Sequence, residues 1–92
     1  MFKHINVSII GDVQGVFFRR TVKHEASRQG ISGFIRNEQD GTVYMEAEGP
    51  EEIIDIFSAW LKSGAGEGTH AIKTIDIVDG SFKAFEGFEI KE

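Results

Sequence analysis

The sequence predicts an α+β sandwich in which two helices cover one face of a mainly antiparallel sheet. Three observations carry that expectation. Apolar and polar residues alternate in four separate stretches, two further stretches carry apolar residues at helical spacing, and their order along the chain is β-α-β-β-α-β with a terminal β segment. No linker or change of composition interrupts this order, so residues 1–92 read as a single domain.

The first strand runs from Lys3 to Ile10, with Ile5, Val7 and Ile9 on one face and His4, Asn6 and Ser8 on the other. Gly11 to Gly15 is a loop opened and closed by glycine. A helix from about Phe18 to Gln29 follows, with Phe18, Val22 and Ala26 on one stripe and Gly30 as its stop. Ile31 to Arg36 is the second strand, Gln39-Asp40-Gly41 a tight turn, and Thr42 to Glu48 the third strand, forming a hairpin with the second. Pro50 opens the second helix, and Glu51, Glu52 and Asp55 complement the positive end of its dipole. Its expected apolar stripe is Ile53, Ile56, Phe57, Trp60 and Leu61, and Gly64 can cap it. Ser63 to Thr69 is a glycine-rich loop, Ile75 and Ile77 mark a fourth strand, and Phe88 and Ile90 a short strand at the C-terminal edge. This order is that of the ferredoxin-like βαββαβ sandwich, a fold that hosts many functions and names none.

Composition removes several classes of chemistry. The chain has no cysteine, which excludes a disulfide framework, a thiolate nucleophile and a cysteine metal site. A net charge of −5 argues against a non-specific nucleic-acid surface. A phosphate must therefore be held by local donors and not by the overall field. His4, His24 and His70 are scattered, with no helical pair and no carboxylate-rich cluster nearby, so no metal site is expected. The N-terminus lacks an apolar secretion signal and no segment has the length of a membrane span, from which a soluble cytoplasmic protein is expected.

The informative segment is Gly11-Asp12-Val13-Gln14-Gly15-Val16-Phe17-Phe18-Arg19. It joins a strand to a helix start, where backbone N–H groups lack helical partners and point outward. A loop with glycine at both ends can curl into a concave nest for a tetrahedral anion. Arg19, in the first helical turn, can grip two phosphate oxygens in a fork. By spacing alone a simple turn with a solvated arginine is the more frequent outcome. The segment is neither a Walker A loop, having no Lys-Ser/Thr pair, nor a GxGxxG loop.

Gly11 to Arg19 resembles the first signature of the acylphosphatase family, G-x-V-Q-G-V-x-F-R. Gly33-Phe34-Ile35-Arg36-Asn37, then Gly41-Thr42-Val43 and Gly49, resembles the second. The resemblance implies hydrolysis of an acyl phosphate to a carboxylate and inorganic phosphate, without metal or cofactor. It implies that Arg19 binds the phosphoryl group, that Asn37 positions the attacking water, and that Asp12, Val13, Gln14, Gly15 and Val16 supply backbone donors. Strand parity agrees, because Asn37 continues the row of Ile31, Gly33 and Ile35 and so faces the helices. A strand-end asparagine bonded to its own turn is the competing reading. A proton route through a phosphate oxygen is expected, since neither signature places a general base other than Asp12.

Asp12 departs from the family, which often carries a basic or neutral residue there; a carboxylate aimed at phosphate would repel it. The three glycines of the 63–69 loop also depart, where proline is common. Phe18 is expected in the core, whereas Phe17 either lines the acyl pocket or fills space against the loop. Phe57 and Trp60 read as core. His24 and Arg28 read as helix surface, and Glu46, Glu48, Glu51 and Glu52 as solvated surface. A monomer with no nucleic-acid or membrane partner is expected. A catalytically silent phosphate-binding or regulatory module is the main alternative. An RNA-binding domain of similar strand order is disfavoured by the acidic third strand, Val43-Tyr44-Met45-Glu46-Ala47-Glu48.

Overall fold

The computed structural model describes residues 1–13, 16–66 and 71–91. Its elements are β1 (Phe2–Asp12), α1 (Val16–Arg28), β2 (Ser32–Asn37), β3 (Val43–Pro50), α2 (Glu51–Lys62), β4 (Ala71–Asp79) and β5 (Phe88–Lys91). The sheet order is β4-β1-β3-β2-β5, antiparallel except where β5 runs parallel to β2. This is the expected α+β sandwich with an edge strand. β1, β3 and β4 are longer than their alternation indicated, since ladder hydrogen bonds continue through polar ends such as Asp79, and β2 keeps its length but runs one residue later, to Asn37.

Period-two alternation places the core. Ile9, Val43 and Asn37 form one cross-strand row, Val7, Met45 and Ile35 the next, and Ile5, Ala47 and Gly33 the third. The apolar members of these rows are fully buried beneath Phe18, Val22 and Ala26 of α1 and Ile54, Phe57 and Leu61 of α2. α1 lies over β2 and β5, and α2 over β1 and β3. α1 stops at Gly30 as expected, where the Gly30 and Ile31 N–H groups donate back to Ser27 and Ala26 at 3.1 and 2.9 Å.

The stripe of α2 is a correction. Ile54 is in the core, whereas Ile56 is 58% exposed. Ile54, Phe57 and Leu61 share the sheet-facing side, Ile53 and Trp60 flank it, and Ile56 is turned about 200° from Ile54 at 100° per residue.

Glu46 and Glu48 are the second correction. Both are buried, at 5% and 3% exposure, although Glu51 and Glu52 are exposed as expected. The cause is the segment 80–87, which crosses the sheet face away from the helices. Glu48 accepts the N–H groups of Lys83 and Phe85 at 2.9 and 2.7 Å, one on each oxygen. His4, also buried, lies between the two carboxylates, and the Phe85 ring stacks on it. A carboxylate pair therefore does stand beside one histidine, contrary to the expectation of none.

Candidate active site

β1 and β2 are both antiparallel to β3, so their C-terminal ends finish at the same edge of the sheet. α1 starts at that edge and packs on β2, which brings its first turn towards the end of β2. Arg19, the fourth residue of α1, is 9% exposed. Asn37, the last residue of β2, shares a row with Val43 and Ile9 and so points to the helix side. At the usual strand spacing that row puts the Asn37 backbone about 10 Å from that of Ile9, with β3 between.

The Asn37 side chain carries the informative electrostatics. Its Oδ1 is buried with no hydrogen-bond partner. A buried acceptor left without a donor costs about 1–3 kcal/mol, and a water or ligand donor removes that cost. The competing reading, an amide bonded to its own turn, does not hold for this oxygen. The turn is instead closed without it: Glu38 N–H donates to Thr42 O at 2.8 Å, and Gly41, at φ 92°, donates its N–H to Glu38 O at 3.2 Å.

Asp12 ends β1 opposite Ala71 and is exposed. It shares parity with the exposed Ser8 and Ile10, so its carboxylate is directed to the face away from the helices, not across the edge where Asn37 lies. Val13 is buried at 1% exposure. Gln14, Gly15 and the side chain of Val16 lie outside the described residues, as does His70. Phe18 is in the core and Phe17, beside it, is 68% exposed. Beside Gly11 the β1–β4 register shifts, so that Lys73 is an extra residue of β4 and the strand pair bends at the approach to the loop.

Arg36, Asn37, Glu38, Gln39 and Asp40 line an open cleft of about 570 Å³ at the β2–β3 hairpin. Another cleft, about 480 Å³, opens at the start of α2, but its charged side chains are Glu51, Glu52 and Asp55, which repel a phosphoryl group. Among the described residues no cluster of His, Cys, Asp and Glu is arranged to hold a metal ion, and no helix is long and apolar enough to cross a membrane. One feature was missed in the sequence. Asp40 Oδ1 accepts both the N–H and the hydroxyl of Thr42, at 3.0 and 2.7 Å. The signal was present, since an aspartate two residues before a threonine, beside a turn glycine, is the pattern of an Asx turn.

The acylphosphatase family model matches residues 5–90. An acylphosphatase of Salinibacter ruber is 36% identical over 90 residues, covering 97% of this chain and 93% of the relative. One of Ligilactobacillus salivarius is 35% identical over 88 residues, covering 96% and 97%. The crystal structure of acylphosphatase from Bacillus subtilis superposes with a TM-score of 0.87 at 30% identity, covering 100% of both chains. With the predicted sandwich, both signature segments and a match spanning nearly all its length, the chain belongs to the acylphosphatase family.

Proposed function

We propose that this acylphosphatase-family hydrolase seats the phosphoryl end of an acyl phosphate between the Arg19 guanidinium and the backbone donors of residues 12–16, while Asn37 orients the attacking water. The observation that supports it most directly is the buried, unpartnered Oδ1 of Asn37 on the side and edge of the sheet where α1 begins. That oxygen can accept a hydrogen bond from water, while the amide N–H₂ donates to a phosphoryl oxygen. A guanidinium presents a fork of donors, and Arg19 stands at low exposure, where a charge-assisted contact is strongest.

Acyl phosphates are activated anhydrides, and their carboxylate leaves without a general acid. The phosphoryl group passes through a loose transition state that asks the protein for positioning and for charge stabilisation. The water oxygen bonds to phosphorus as the bond from phosphorus to the acyl oxygen breaks. The electron pair leaves with the carboxylate, and a water proton passes to a phosphoryl oxygen. No step uses Asp12 as the base, a reading supported by its parity with Ser8 and Ile10. No metal or cofactor enters these steps, and the reading is of a cytoplasmic monomer acting on a small molecule, without nucleic acid or membrane.

The test is phosphate release from acetyl and benzoyl phosphate by wild type, Arg19→Ala and Asn37→Ala, with and without a chelator. Each substitution should lower turnover about a hundredfold or more, the cost of removing an aligned charge-stabilising donor. The chelator should change nothing. Near-normal turnover by Arg19→Ala overturns the assignment. Phosphate binding by the wild type without hydrolysis leaves the silent binding module instead.

A further inference from the structure

The two hydrogen bonds from Thr42 to Asp40 are local, but their position in the chain is not neutral. β2 ends at Asn37 and β3 begins at Val43, and these two residues face each other in the ladder. Residues 38–42 join the two strands. The Glu38 N–H to Thr42 O bond at 2.8 Å closes the hairpin on the next residue pair. On the turn side Asp40 holds the Thr42 N–H and hydroxyl on the same oxygen. Arg36 Nε donates to Glu38 Oε1 at 2.9 Å and braces the outgoing strand from the opposite face. Those two hydrogen bonds from Thr42, hydroxyl first, hold the Asp40 carboxyl below its usual range, so the acceptor is an anion at neutral pH.

From this geometry we propose that Asp40 is a positioning residue for hydrolysis: by fixing Thr42 it holds the hairpin in the register that keeps the buried Asn37 oxygen aimed at the attacking water. The inference rests on the role proposed for Asn37. Small displacements of a positioned group cost rate out of proportion to stability, up to about a hundredfold for a shift near 1 Å. Asp40 is exposed, so the loss on removing it is smaller than for a buried group. It acts on the water's side of phosphorus. In an in-line displacement the acyl group departs on the far side, so Asp40 has no hold on acyl preference.

The experiment compares Asp40→Ala, Asp40→Asn, Asn37→Ala and the double variant Asn37→Ala/Asp40→Ala on acetyl and benzoyl phosphate, with inorganic phosphate as competitive inhibitor. Asp40→Ala should lower kcat about fivefold, with KM and the phosphate inhibition constant within about twofold of wild type and the acetyl-to-benzoyl ratio unchanged. Asp40→Asn should restore kcat, because a single amide oxygen can take both Thr42 donors. The double variant should be no slower than Asn37→Ala alone, as expected when one residue acts through the other. Normal kcat in Asp40→Ala, failure of Asp40→Asn to restore it, or a further loss in the double variant overturns the inference while leaving the role of Asn37 intact. Wild-type turnover in Asn37→Ala overturns both.

Discussion

His4 Nδ1 lies 2.8 Å from Glu48 Oε1 across the β1–β3 ladder, on the sheet face away from the helices, and both side chains are almost completely buried. The same carboxylate takes the N–H groups of Lys83 and Phe85. The residue between them, Ala84, has φ 57°, which turns the two N–H groups to one side so that they converge on an anion. Burial pushes the Glu48 carboxyl up, but the bonds from Lys83 N–H, His4 and Phe85 N–H outweigh it and hold it below its ordinary value of 4.5. The contribution of such a group to stability is complete above the unfolded value, about pH 4.5, and is lost as the pH falls through the folded value. Glu48→Ala should cost about 3 kcal/mol at pH 7, because it removes the acceptor of two part-buried N–H donors and of one side of the buried His4. Urea unfolding should show the wild type losing stability between about pH 5 and 3 more steeply than the variant, by this linkage. Parallel pH profiles sink the idea that this carboxylate anchors residues 80–87.

Tyr44 gives a separate reading of the same face, since it is the one tyrosine in the chain. Its hydroxyl donates to Glu46 Oε2 at 2.7 Å. Burial and then the Glu46 carboxylate push the phenol up from 10.0 to about 12. Ultraviolet absorbance of the folded protein should titrate near that value, and the protein in urea near the ordinary one. A raised acid of this kind contributes stability below the unfolded value that is lost as pH rises from there through the folded value. Glu46→Gln should lower the folded midpoint by removing the adjacent negative charge. A folded midpoint near 10 would show that the phenol is solvated.

Gly33 tests how the strand that carries Asn37 is seated. A Cβ there would run into the carbonyl oxygen of Glu46 on β3, and the φ of 153° is one that side chains rarely adopt. Gly33→Ala must therefore separate β2 from β3 or shift its register. The expected cost is about 2 kcal/mol or more in unfolding, as for overpacked interior positions. Turnover should fall as well, because Asn37 lies four residues along the same strand. Full stability and turnover in this variant would mean that the two strands are more loosely held than this contact requires.

What the sequence revealed and what it hid divide along a physical line. Alternation placed Ile5, Val7 and Ile9 inside, and parity alone directed Asn37 to the helix side, because the period of a strand is a local property. The spacing of Phe18, Val22 and Ala26 likewise oriented α1. Alternation says which face a residue occupies, however, not what covers that face. Glu46 and Glu48 read as solvated because the segment that buries them, Gly80-Ser81-Phe82-Lys83-Ala84-Phe85-Glu86-Gly87, has no period of its own. Its course follows from the hydrogen bonds to Glu48 and from the close fit at Gly80, where a Cβ would meet His4 and Asn6 at 2.7 and 2.8 Å. The parallel pairing of β5 with β2 was hidden for the same reason, since a four-residue strand carries too little pattern to name its neighbour. At the site, the two signature segments marked Arg19 and Asn37, whereas Asp40 acts through a turn whose register no periodicity describes.

Phe17 is the remaining choice that the structure narrows. It stands 68% exposed in the first turn of α1, two residues from Arg19 and next to Phe18, which fills the core at 2% exposure. A large apolar side chain held in water contributes little to folding, so Phe17→Ala should change unfolding free energy by no more than about 0.5 kcal/mol. At that exposure its ring can meet the acyl part of a substrate whose phosphoryl end sits in the proposed loop. An aromatic acyl group would then bury against it and acetyl would not, and apolar contacts of this size discriminate by about ten- to a hundredfold at most. Phe17→Ala should accordingly reduce kcat/KM for benzoyl phosphate about tenfold relative to acetyl phosphate, with the phosphate inhibition constant unchanged. Equal losses on both substrates, or a marked loss of stability, would return Phe17 to the alternative of filling space against the loop.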